Sequence, residues 1–183
     1  MKRALGLALA AAVASGCGGG DDDGGDGVAT TPTVGNHARF ESPHIAFTFD
    51  YPEELVAERR PRAGVLARVA VERASFLNAL KVRRTAQREL GPERYLDEFR
   101  SEFERTVDSV QTRQERIGEL DTGVVEFEDS AEEGGRTVEF TSSSYFFAGG
   151  GETWQLECIA DEEHRQQIEA ACEIALRSVD FTG

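Results

Sequence analysis

Apolar residues in this chain recur at two different spacings, and the points where the spacing changes limit the fold more than any other feature. Ile45, Phe47, Phe49 and Tyr51 alternate until Pro52 ends the run, a pattern that puts one face of a strand into a core. Residues 64–73 repeat it with Val65, Ala67, Val69 and Val71, and Leu80 and Val82 mark a further short strand. From Pro92 the interval lengthens. Tyr95, Leu96, Phe99, Phe103, Val107 and Val110 fall three and four apart, which predicts an amphipathic helix of about 18 residues.

Beyond that helix the alternation returns. Residues 113–120 form a weak strand candidate, Asp121-Thr122-Gly123 reads as a turn, and residues 124–128 read as another strand. Glu132-Glu133-Gly134-Gly135 is a hairpin turn, residues 136–148 run as a long strand to Gly149-Gly150-Gly151, and residues 152–160 pair back. Asp161 is placed to cap a final helix over residues 162–178, with Glu162 and Glu163 in its first turn. Strands joined by turns imply an antiparallel sheet, and two amphipathic helices need a face to cover. The expected fold is α+β: an antiparallel β-sheet flanked by two main helices, in a single domain over residues 38–183. At 183 residues the chain has room for one core of ordinary size but not for two.

The first 37 residues follow other rules. Met1-Lys2-Arg3 supplies two cations, and residues 4–14 are apolar apart from Gly6, too short a run to cross a bilayer as a helix, which takes about 20 residues. Small residues follow at Ala14-Ser15-Gly16, then Cys17. This order matches a bacterial lipobox, with residues 1–16 as the signal peptide and Cys17 as the lipidated residue. Leucine is commoner where Ala14 stands. The competing reading is an ordinary secretory signal beside a coincidental cysteine. Residues 18–27, GGGDDDGGDG, cannot bury a core, so residues 17–37 are expected to be a flexible, solvated tether. The Asp run lacks the ligand spacing of a calcium loop. Two acyl chains on Cys17 would hold the domain at a membrane where one would not.

Cys158 and Cys172 remain. Export would put them where disulfides persist, and an even pair is what a bridge needs. Trp154, Leu156 and Cys158 share one face of the predicted strand, while Ile168, Cys172, Ala175 and Leu176 share one stripe of the predicted helix. Both sulfurs therefore point into one strand–helix contact. Two buried free thiols are the alternative.

Phe47-Thr48-Phe49-Asp50-Tyr51-Pro52 opens the domain. A central helix, a meander and Trp154-Gln155-Leu156-Glu157-Cys158 follow, and a last helix runs into Ser178-Val179-Asp180-Phe181. In this order of elements the chain resembles the PsbP-like fold, and within it the LpqN-type lipoproteins of actinobacteria. The resemblance implies an αβα sandwich used as a non-enzymatic docking or accessory module. It carries no functional site over, because the matching residues are core positions.

Little in the chain points to catalysis. His37, His44 and His164 show no metal-ligand spacing, so no metal or cofactor is expected. Ser142-Ser143-Ser144 lacks a nucleophile elbow and, on an alternating strand, points to both faces. A net charge of −14 argues against nucleic acid, whose phosphates need clustered cations. Charge is nonetheless segregated: residues 59–116 hold 14 basic and 9 acidic side chains, and residues 117–183 hold 3 and 16. Arg59, Arg60, Arg62, Arg83, Arg84 and Arg88 would form a basic interaction patch unless the two halves interleave. The expectation is a membrane-anchored, extracytoplasmic binding module without enzymatic activity, contacting the membrane through Cys17 and an envelope protein through its surface. The alternative is a binder of lipids or small molecules with an apolar pocket, and a hydrolase ranks below both.

Overall fold

Alternating side chains, with a glycine pair at two of the reversals, build most of this molecule. The computed structural model describes residues 36–58, 64–73, 76–103 and 109–182; residues 1–35, with Cys17 and the signal segment, and Arg59, Arg60 and Arg62 lie outside these. Strands β1 (His37–Phe40), β2 (Phe47–Pro52) and β10 (Asp180–Phe181) form one small antiparallel sheet with β2 in the middle. Seven others form the main sheet: β3 (Val56–Glu58), β4 (Ala67–Ala70), β5 (Ala79–Ala86), β6 (Val110–Ile117), β7 (Leu120–Glu133), β8 (Arg136–Gly149) and β9 (Glu152–Asp161). Their order is β3-β4-β5-β9-β8-β7-β6, antiparallel at every step. Helices α1 (Pro92–Phe103) and α2 (Arg165–Arg177) complete the described residues. The architecture is α+β and dominated by its sheets.

The turns carry the meander. Gly134 and Gly135 between β7 and β8, and Gly150 and Gly151 between β8 and β9, all have positive φ. A two-residue hairpin with that backbone matches the twist of its strands, and glycine adopts it without steric cost. β8 and β9 are then held in register from Phe140↔Asp161 to Gly149↔Glu152.

Alternation along β8 and β9 separates two apolar clusters. Trp154, Leu156, Cys158 and Ala160 of β9 pack with Phe147 of β8, Phe47 and Phe49 of β2, and Ile168, Cys172 and Leu176 of α2. The neighbour of Phe147, Phe146, belongs instead to a cluster with Tyr95 and Leu96 of α1 and Val125 of β7. Fully burying a large apolar side chain stabilises by roughly 1.5–3 kcal/mol, so these two clusters hold the layers together.

Several boundaries differ from the sequence expectations. The first helix is described from Pro92 to Phe103, with Val107 outside the described residues, and Val110 opens β6 opposite Phe127. Val110 packs against the same cluster as Tyr95 and Leu96, which explains why it matched the helical spacing. Asp121-Thr122-Gly123 lies inside β7, and the reversal is made by Gly118-Glu119. The last helix begins at Arg165, with His164 at its cap and the His164 side chain making no capping hydrogen bond. Asp161 ends β9 and accepts a hydrogen bond from the His164 backbone N–H at 2.9 Å. His37, assigned to the tether, pairs with Pro52 as the first residue of β1.

Candidate functional site

Cys158 and Cys172 are joined by a disulfide across 6.3 Å between their Cα atoms. It ties β9 to α2 inside the main core, with both residues buried, and so acts as a staple. Cys17 lies outside the described residues.

The basic patch is drawn together only in part. Arg59, Arg60 and Arg62 lie outside the described residues. Arg83 Nη1 donates to Glu157 at 2.9 Å and Arg84 Nη1 to Glu152 at 2.8 Å. Arg88 is exposed, and its carbonyl accepts from the Thr153 hydroxyl at 2.7 Å. The antiparallel pairing of β5 with β9 sets cations of the first half against carboxylates of the second. Here the two halves of the sequence interleave.

That pairing also creates a buried polar row. Register places Glu58 beside Arg68, Arg68 beside Lys81, Lys81 beside Glu157 and Glu157 beside Ser144. Arg68 binds Glu58 at 2.5 Å and also reaches the carbonyls of Glu72 and Arg73. Lys81 Nζ lies 3.6 Å from Glu157 Oε2, which Arg83 also engages. The Phe76 ring covers the ammonium, its centroid 3.8 Å away. Burial is the main force that pushes the Lys81 amine down to about 8; Glu157 opposes it, and Arg83 and Arg68 add to it. Sequence reasoning passed over Lys81 because its place in an alternating strand reads as solvated. The available signal was that it is the only lysine after Lys2.

The serine triplet splits as alternation requires. Ser142 and Ser144 are buried, and Ser144 Oγ accepts from Gln155 Nε2 at 2.9 Å. Ser143 donates to Glu126. No histidine approaches the triplet in any described contact: His44 is exposed, and Nδ1 of His164 lies 2.9 Å from Oδ1 of Asp161. Burial opposes ionisation of Asp161, but hydrogen bonds from Asn78 and His164 outweigh it and hold the carboxyl below its ordinary range. Among the described residues, no group of three or more His, Cys, Asp or Glu could hold a metal ion, and no helix is long and apolar enough to cross a membrane.

No protein-family model matches the chain, and no curated protein matches it. Among solved structures it is similar to a protein of Bacteroides thetaiotaomicron VPI-5482, with a TM-score of 0.53 and 14% identity over 79% of this chain. The match spans 48% of that protein, about half its length. It is also similar to LpqN, involved in cell envelope biogenesis of Mycobacterium tuberculosis, with a TM-score of 0.48 and 10% identity over 83% of this chain and 87% of that one. A third likeness is to cyanobacterial PsbP (CyanoP) from Synechocystis sp. PCC 6803, with a TM-score of 0.45 and 11% identity over 85% and 98% of the two chains. At 14% identity, the Bacteroides likeness concerns the fold alone.

Proposed function

We propose that this chain is an extracytoplasmic lipoprotein: a PsbP-like αβα domain held to the membrane by acylated Cys17 and acting as a non-enzymatic binding or accessory module for an envelope protein. One observation carries the reading. Of three cysteines, Cys158 and Cys172 are consumed by a buried disulfide, a bond that persists in oxidising compartments. The third stands alone directly after a signal-like segment. The acidic domain has little electrostatic attraction to anionic headgroups, which leaves anchoring to the lipid.

A docking role is favoured over an apolar ligand pocket by how the aromatics are used. Phe47 packs edge-on against Trp154, with ring centroids 5.2 Å apart, and Tyr95 stacks on Phe146 at 4.9 Å. These rings fill the interior with one another. The test is fractionation of cells expressing the full chain. Cys17→Ser moves the domain from the membrane to the soluble fraction, and retention in the membrane would refute anchoring. Native mass spectrometry of the wild type extracted from its envelope then separates the roles: a retained protein supports docking, and a retained small molecule supports the pocket.

A further inference from the structure

Strands β7 and β8 run on together past their neighbours. Their ladder continues to Glu133↔Arg136, whereas β6 stops pairing with β7 at Phe127 and β9 stops pairing with β8 at Phe140. Among the described residues, no strand pairs with the outer side of residues 128–133. The hairpin fixes which backbone groups lie on that side. Gly134 and Gly135 both have positive φ, so Glu133 and Arg136 form the hydrogen-bonded pair that closes a two-residue turn. Backbone groups of successive residues alternate sides along a strand. Asp129, Ala131 and Glu133 therefore face β8, and Glu128, Ser130 and Glu132 face outward. The Ser130 N–H agrees, since it donates to the Asp129 side chain at 2.8 Å.

This edge is open and acidic. Glu128, Asp129, Ser130 and Glu132 are exposed, and residues 128–133 include no cation. Beside the edge, a cleft of about 340 Å³ separates the hairpin from the start of α2, lined by Glu128, Asp129, Glu139 and Glu162 against one cation, Arg165. Among the described residues, none of Glu128, Glu139 and Glu162 has an ionic partner. Side chains alternate too, so Glu128 and Glu132 lie on one face of the ribbon and Asp129 and Glu133 on the other. Open backbone groups and surplus charge thus meet in one place. An added strand needs the first, and cationic side chains on both of its faces match the second.

We propose that the outer edge of β7 over residues 128–133 receives an extended, lysine- or arginine-rich segment of the envelope partner as an added strand. The backbone of that segment continues the pairing that β6 leaves off, bonding to Glu128, Ser130 and Glu132. Its cations reach the carboxylates of the cleft on one face and Asp129 and Glu133 on the other. A second copy of this chain is a poor occupant, because two molecules of net charge −14 repel each other. The proposal rests on the docking reading above and gives it a surface and a partner chemistry.

The test is exchange of backbone amides with water, read residue by residue by NMR in the full chain. The probe is a short synthetic peptide alternating lysine with threonine. At saturation the N–H groups of Glu128 and Glu132 exchange about tenfold more slowly, while those of Asp129 and Ala131, already bonded to β8, do not change. A glutamate–threonine peptide gives no protection. A lysine–proline peptide gives none either, since it keeps the charge but builds no ladder. Glu128→Lys combined with Glu132→Lys abolishes the response and leaves the rest of the spectrum in place. Equal protection by the proline peptide, or none by any peptide, overturns the proposal and leaves the carboxylates as guards that keep the edge from pairing. If native mass spectrometry retains a protein while these amides stay unprotected, docking stands and its surface lies elsewhere.

Discussion

The two faces of strand β9 were built for different purposes. Trp154, Leu156, Cys158 and Ala160 lie in the main core with α2, whereas Gln155 and Glu157 point the other way, toward Ser144, Lys81 and Arg83. Both faces are largely covered, yet only the first is apolar. A covered apolar face gains by burial alone. A covered charged face gains only where every group finds a partner, and specificity is bought at some expense in stability. Removing groups from the two faces should therefore act with opposite sign.

The largest effect is expected from Trp154→Ala. Its ring is wholly buried against Phe47, so the cost in urea unfolding is about 3–5 kcal/mol. A loss under 1 kcal/mol would mean that the α2 face is not the core. Next comes the staple. Replacing Cys158 and Cys172 with serine, 14 positions apart, should cost about 3 kcal/mol in the chain-entropy view. The same drop should appear in a thermal melt of the wild type under reductant.

Lys81→Met sharpens the comparison from the other face. It removes a buried charge while Arg83 still satisfies Glu157, so it should stabilise at pH 7 by about 1–2 kcal/mol. The pH dependence follows from the lowered amine, which titrates near 8 in the folded protein against 10.5 unfolded. Between those values the unfolded chain binds a proton that the folded one has lost, so wild-type stability rises with pH across that window. The Met variant should lack this rise. Equal slopes in urea titrations at pH 8 and 10 would contradict it.

Asp161→Asn is expected to matter least, at about 1 kcal/mol. The lowered Asp161 carboxyl supplies stability above its unfolded value that disappears as pH falls through the folded one. The variant should therefore flatten the acid limb of the stability curve, showing its full loss at pH 7 and above and little loss in acid, as urea unfolding across pH would read.

Much of the sheet was legible because its signals are local. Gly134-Gly135 and the parity of Trp154, Leu156 and Cys158 are properties of neighbouring residues, and the structure follows them. Misreadings arose where a residue serves a distant partner. Gly123 reads as a turn glycine, but a Cβ there would lie 3.1 Å from Leu96 and 3.2 Å from the Pro92 carbonyl. Its smallness lets α1 approach β7. The sequence of β5 likewise shows Lys81 and Arg83 as polar alternates, as a solvated face would. Only the pairing of β5 with β9, across about 75 residues of chain, reveals that this face is closed. The lipidation and tether readings concern residues outside the described structure, and their test is biochemical.

Strand β2 has a mechanical consequence. β1 enters at its Pro52 end and β10 leaves at its Phe47 end, both antiparallel to it. Asn36 receives a hydrogen bond from Glu53, and Thr182 donates one to Ala46, so the two ends of the described chain emerge at opposite ends of a six-residue strand. A pull that separates those ends acts along the strand axis. It loads the ladder bonds together, in shear, instead of peeling them one after another. Phe181, pressed on Gly149 and packed against Phe47, would have to slide before the strand yielded. Tension applied between those two ends is thereby resisted by the whole ladder at once.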